Sequence, residues 1–223
     1  MAEQLVFDLP INTAFGRDNF FASNANIGAV GTIENWAEWP LGKLILVGPE
    51  GAGKSHLAHI WADMADAVVV EAADDWRTGD MVGAVCVENV HTISGDSANE
   101  EKLFHLHNMQ AQKCAALLMT GTGVPNGWGI GLPDLASRLQ GSLLVQLGAP
   151  DDTLLAAVLL KQCADRQLQL EPGVVDYILR RAERSFVSMR DLVVLLDRQS
   201  LQRKRPVGQG MVREVLAQME NLK

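Results

Sequence analysis

Apolar residues follow one pattern before about residue 150 and another after it. In the first part, short aliphatic runs alternate with segments whose apolar positions recur at helical spacing. The runs are Leu44-Ile45-Leu46-Val47, Ala67-Val68-Val69-Val70, Met81 to Val87, Cys114 to Thr120, and Leu143 to Leu147; each reads as a strand, the third a buried one. Helical spacing predicts helices over about 25–38, 56–65, 99–113 and 132–139. The first carries Ile27, Val30, Ile33 and Trp36 on one face and ends at Pro40 and Gly42. Strands alternating with helices predict an α/β domain, a mostly parallel sheet covered on both faces.

Beyond Gly148-Ala149-Pro150 the strand pattern stops. Asp151 or Asp152 caps a helix to about Arg166, and Pro172 sits in the first turn of a second one to about Arg184. Ser188-Met189-Arg190-Asp191 has capping-box spacing, with Asp for the usual Glu, and predicts a third helix to about Gln202. A last helix follows the Pro206 and Gly208 break. The second part is therefore a small all-helical domain. Arg190 falls in the first turn of its helix on this reading. A cation there opposes the helix dipole, so it has a separate reason to be present, such as reaching a phosphate across the domain gap.

The first strand runs into Gly48-Pro49-Glu50-Gly51-Ala52-Gly53-Lys54-Ser55 and then the helix that begins near His56. This is a phosphate loop with its full spacing and its strand–loop–helix context. Gly48, Gly51 and Gly53 let the backbone wrap an anion without Cβ clashes. Backbone N–H groups and the helix N-terminus present partial positive charge. Lys54 is placed to meet β- and γ-phosphates, and the Ser55 hydroxyl to ligate Mg²⁺.

Composition narrows the partners. In a chain of 223 residues, 48% are hydrophobic, which supports a packed core, and the net charge is −8. A chain this acidic is not built to coat nucleic acid, although local basic patches remain. Three cysteines without metal-ligand spacing read as reduced and mostly buried, as in a cytoplasmic protein. No apolar run has the length of a membrane span, and the start of the chain lacks a signal-peptide pattern.

Other positions carry candidate chemistry. Glu88 ends the third strand, where a carboxylate can organise Mg²⁺ beside a phosphate loop. Thr122, after the fourth strand, is either a turn residue or a group positioned beside a γ-phosphate. His91, His105 and His107 read as surface or packing residues; the last two lie two apart, on different sides of a helix. Phe15, Phe20 and Phe21 read as core. The segment Gln4-Leu5-Val6-Phe7-Asp8-Leu9 is either a strand packed on its own domain or an extended peptide for a partner's apolar pocket. Arg180, Arg181, Arg184, Arg203, Lys204 and Arg205 read as solvated faces.

Phe20 to Asn26, Gly48 to His56, Leu132-Pro133-Asp134-Leu135-Ala136-Ser137-Arg138-Leu139, and Ser188 to Leu192 together resemble the DnaA-related AAA+ ATPases. Within them, the chain looks most like the regulatory members that inactivate the replication initiator. The resemblance implies an N-terminal peptide over 1–11, an AAA+ nucleotide-binding domain over 12–149 and a helical lid over 150–223. It implies ADP or ATP with Mg²⁺ as cofactor, held by Gly53, Lys54, Ser55 and His56 and sensed by Thr122 and the lid residue Arg190. Arg138 matches the arginine finger that acts on a nucleotide held by a neighbouring subunit. Gln4, Leu5, Phe7 and Leu9 match the motif that binds the replicative sliding clamp. The implied partners are DnaA and that clamp, with DNA met mainly through the clamp and a homodimer left open. On this resemblance the initiator's DNA-binding domain is expected to be missing after the lid.

Two departures matter. Asn89 falls where AAA+ enzymes keep the water-activating carboxylate, so intrinsic hydrolysis should be slow or absent. Thr122 falls where the initiator has an Asp. The resemblance thus points to a regulator that triggers a partner's hydrolysis and prevents re-initiation. A self-cycling AAA+ motor or loader and a clamp-binding adaptor without catalysis are the alternatives.

Overall fold

A computed structural model of the chain describes Ser23 and residues 26–220. The N-terminal segment with Gln4, Leu5, Phe7 and Leu9, and the three early phenylalanines, lie outside the described residues.

Five strands form one parallel sheet in the order β2-β3-β4-β1-β5. They are β1 (Lys43–Val47), β2 (Val68–Glu71), β3 (Val85–Glu88), β4 (Leu117–Gly121) and β5 (Leu143–Gln146). Helices α1 (Ile27–Glu34), α2 (Lys54–Ala65), α3 (Ser97–Lys113) and α4 (Pro133–Gln140) cover it. Every residue of the central strand β1 is buried, as a parallel strand with two covered faces requires. Alternation along β1 divides the core. Leu44 and Leu46 join Ala58 and Trp61 on one face, while Ile45 and Val47 join Leu103, Leu106 and Leu139 on the other. Trp39 stacks on Trp61 with ring centroids 5.3 Å apart and donates its Nε1–H to the Thr32 carbonyl at 2.8 Å.

The lid has its own core of Leu155, Leu159, Val174, Leu192, Leu196 and Val212 among others. Its helices are α5 (Asp152–Asp165), α6 (Val174–Leu179), α7 (Phe186–Arg203) and α8 (Gln209–Glu220). The described residues thus form a parallel α/β sheet domain followed by a helical lid, the fold class expected.

Several boundaries differ from the periodic reading, each for a local reason. The helix expected over 25–38 breaks at Asn35, and single turns carry Trp36 and Trp39 onto the Trp61 face. The strand expected from Met81 starts only at Val85, because Gly83 takes a left-handed φ of 76°. Cys114 is no strand residue; it caps α3 at φ 51° and is exposed. The second lid helix is short, and Pro172 lies outside it, ahead of the Gly173 cap. The third begins a turn early. Ser185 is its cap, its Oγ accepting from the Ser188 N–H at 3.1 Å. Ser188 therefore opens no capping box, and Arg190 sits in the second turn, where the dipole argument for it does not apply.

The basic residues of the lid lie on exposed faces, as expected, and three of them have partners. Arg184 pairs with Asp152, Arg203 with Glu214, and Arg181 stacks 4.8 Å over the Tyr177 ring.

Candidate functional site

The β1–α2 loop opens at the carboxyl edge of the sheet, where β1 lies between β4 and β5. Gly53 stands at φ 90°, and a Cβ there would lie 3.1 Å from the Phe186 ring. Only glycine combines that backbone with that approach. Lys54 is buried, and its ammonium donates to the Gly48 and Pro49 carbonyls, both at 2.9 Å, and to Thr122 Oγ1 at 3.4 Å. Burial lowers its pKa, an effect opposed by Glu50 and Glu88. Lys54 thus holds the loop from inside, with Thr122 beside it. Ser55 and His56 follow, exposed, in the first turn of α2.

Glu88 is buried at the end of β3, with Oε2 3.8 Å from His59 Nδ1. Its Oε1 has no hydrogen-bond partner among the described residues. An orphaned, buried carboxylate oxygen is suited to a cation. The loop, Lys54 and Glu88 therefore fit a nucleotide phosphate and a divalent metal. Glu88, with the Ser55 hydroxyl, would hold Mg²⁺, which supplies charge neutralisation on the phosphates.

Around this centre the structure collects residues that the sequence left aside. His91 accepts from the Thr122 N–H at 3.2 Å, and burial together with Lys54 lowers its pKa. Half-buried, it packs beside Thr122 and Lys54. Asn89 adopts φ 57°, donates its N–H to Thr120 Oγ1 at 3.0 Å, and donates Nδ2 to both Glu71 oxygens, at 3.2 and 3.0 Å. Glu71 ends β2, in register with Glu88. A carboxylate thus stands beside the amide at the strand-end position. Trp128 closes the β4 end, donating Nε1–H to the Thr122 carbonyl at 2.7 Å. A Cβ on Gly121 would lie 2.3 Å from its ring, so that position must be glycine.

The lid packs directly on the loop. The Phe186 N–H donates to the Gly51 carbonyl at 3.2 Å. A cavity of about 340 Å³ lies between them, lined by Asn26, Gly53, His56, Leu147, Phe186 and Arg190 among others. Arg190 is exposed, and its Nε donates to Asp191 Oδ1 at 3.3 Å. Gly53, His56 and Arg190 therefore share one cavity.

Arg138 is elsewhere. Helix α4 runs from the carboxyl edge, after β4, to the start of β5, so its last turn ends at the amino edge. Leu143 pairs there with Leu44, next to Lys43. The five residues of β1 put about 15 Å between that edge and the phosphate loop. Buried Glu100 fixes the approach to α4, its carboxylate accepting from the N–H groups of Gly95, Gly131 and Leu132 at 2.9, 3.0 and 2.7 Å. Burial would raise its pKa, but the three donors outweigh burial and lower it. Arg138, Lys43 and His107 line a separate cavity of about 600 Å³.

The arrangement is a parallel α/β sheet with its phosphate loop under a helical lid. Domain III of Thermotoga maritima DnaA has this fold: it superimposes with a TM-score of 0.80 at 16% identity, over 92% of this chain and 95% of that one. AMPPCP-bound Aquifex aeolicus DnaA matches with a TM-score of 0.67 at 18% identity, over 83% of this chain. The Thermotoga maritima RuvB branch-migration motor matches with a TM-score of 0.62 at 18% identity, over 78% of this chain and 61% of that one. This chain spans 67% of the Aquifex aeolicus DnaA chain. Residues 151–216 match the family described as the Hda lid domain. The chain shares the fold of DnaA domain III, and its last helices match the Hda lid family.

Proposed function

We propose that this protein binds an adenine nucleotide, ADP or ATP with Mg²⁺, between the phosphate loop and the lid, and that it stimulates ATP hydrolysis by the replication initiator DnaA. Arg138 acts as the finger, in trans. The N-terminal segment with Gln4, Leu5, Phe7 and Leu9 tethers the protein to the DNA-loaded sliding clamp, and the conversion of initiator to its ADP form prevents re-initiation. In its own site, Gly48, Gly51, Gly53 and Lys54 hold phosphates, Ser55 and Glu88 hold the metal, and His56, Thr122 and Arg190 sense the nucleotide.

One observation carries this reading. Arg138 lies a full strand length from its own loop and makes no ion pair among the described residues. It cannot serve the nucleotide of its own chain, yet it stands ready for one held by a neighbour. The Hda-type lid supports the same assignment. The test is ATP hydrolysis by purified DnaA, with clamp loaded on DNA, with and without this protein and its Arg138→Ala variant. Stimulation lost in the variant is expected; no stimulation by the unmodified chain would overturn the proposal. Clamp binding unchanged by the double substitution Gln4→Ala, Leu5→Ala would remove the tether alone.

The second reading, turnover of its own ATP, gains from Glu71. Asn89 cannot accept a proton, but the carboxylate it holds can. ATP turnover by the isolated chain that Glu71→Gln abolishes, with nucleotide affinity unchanged, would favour it.

A further inference from the structure

The amino-edge cavity is chemically unlike the rest of the molecule. Lys43 opens β1 and is only 3% exposed; His107, on α3, is 4% exposed. Lys43 Nζ lies 3.2 Å from His107 Nδ1. An ammonium only donates, so Nδ1 is the acceptor and the imidazole carries its proton on Nε2. That Nε2 is buried and has no hydrogen-bond partner among the described residues. Arg138 completes the wall, with Ser137 and Ser142 beside it. Among the described residues, no aspartate or glutamate lines the cavity.

A buried ammonium with no carboxylate beside it among the described residues is costly, and so is an orphaned buried N–H. Two formal positive charges and a neutral donor around about 600 Å³ exceed what a single carboxylate would satisfy. They match a doubly charged oxyanion with three or four acceptor oxygens. The guanidinium fork and the ammonium point charge are the two cationic groups that bind phosphate best.

We propose that this cavity is a receiving site for a phosphate group, bound by Lys43, His107 and Arg138. The site takes the phosphate of a free oxyanion or of a nucleotide presented by another subunit; the chemistry is the same. It shares Arg138 with the function proposed above and adds Lys43 and His107, which that function does not require.

Cys114 supplies the probe. It is exposed and lines the same cavity, whereas Cys86 and Cys163 are buried. The full chain, saturated with ADP and Mg²⁺ to occupy the phosphate loop, is treated with iodoacetamide with and without inorganic pyrophosphate. Sodium chloride at equal ionic strength is the control. Pyrophosphate is expected to slow Cys114 alkylation at least threefold in the unmodified chain and in neither Lys43→Met nor Arg138→Ala. Replacing an uncompensated buried cation by an apolar side chain of like size is tolerated, so Lys43→Met should remain folded. No slowing in the unmodified chain, or equal slowing in Lys43→Met, would overturn the proposal.

The DnaA hydrolysis assay with Lys43→Met separates the sources and the readings. Stimulation reduced at least tenfold places the phosphate on the partner's nucleotide. Full stimulation together with pyrophosphate protection assigns the site to a free oxyanion. Protection without any DnaA stimulation in the unmodified chain retains the pocket and rejects the function.

Discussion

The two edges of the sheet each hold a buried lysine, and they treat it in opposite ways. At the carboxyl edge, Lys54 has two carbonyls and a hydroxyl of its own chain, with Glu88 nearby. At the amino edge, Lys43 has a histidine nitrogen, with Arg138 as its neighbour and no carboxylate in the cavity among the described residues. The first lysine is held by neutral acceptors with a carboxylate close by, whereas the second stands beside another cation. On the two proposals above, the first edge takes the chain's own nucleotide and the second a phosphate presented from outside.

The comparison can be broken most sharply at Arg138. Arg138→Ala should lower DnaA stimulation by about 10³-fold or more, while nucleotide binding by this chain, measured calorimetrically, stays unchanged. Loss of nucleotide binding would mean that the two edges are not independent.

Glu100→Ala removes a buried carboxylate that satisfies three backbone N–H groups and should cost about 3–4 kcal/mol in urea unfolding. It should also loosen the approach to α4 and so depress stimulation, leaving the phosphate loop intact.

Acid should strike the amino edge first. Burial, then Lys43 and Arg138, push His107 down to about 4. The folded state therefore prefers the neutral ring more strongly than the unfolded chain does. Stability from this group is present above about pH 6.5 and is lost as pH falls towards 4, by roughly 3 kcal/mol in all. Unfolding free energies at pH 7 and pH 4.5 should show the drop, and His107→Leu should lack it. The lowered pKa of Glu100 adds a separate loss at more acid pH, again because the ionised form is the one that the fold stabilises.

Lys54→Ala should weaken nucleotide binding about 100-fold, near 2.7 kcal/mol, without changing Cys114 protection by pyrophosphate. The smallest effect expected is at Ser185. Replacing this cap by Ala should cost about 1 kcal/mol and slightly loosen the lid over the loop, seen as faster nucleotide release.

Legibility tracked how local each feature is. The phosphate loop, the alternating runs and the lid could be read because the relevant residues lie within one turn or one strand of each other. Asn89 was visible as a departure, but Glu71, 18 positions away, was not. His91 reads as a surface or packing residue in the sequence, and only the fold shows what it packs against, the Thr122 N–H. The lid cap was misplaced because Ser185 and Ser188 both fit the start of a helix. The backbone chose Ser185, whose extended φ and ψ let its hydroxyl reach the Ser188 N–H.

The sequence by itself determined the anion cradle and the sheet-then-lid order, since spacing and periodicity encode them in short windows; the candidate finger came only from the resemblance to a known family. Only the tertiary structure decided where those pieces face. Parallel pairing sets β1 between β4 and β5 and sends α4 back to the amino edge. That return separates Arg138 from Lys54 and joins it to Lys43 and His107, residues 64 positions apart. Charge balance is a sum over neighbours in space, so the uncompensated pocket became visible only when the sheet had closed around it.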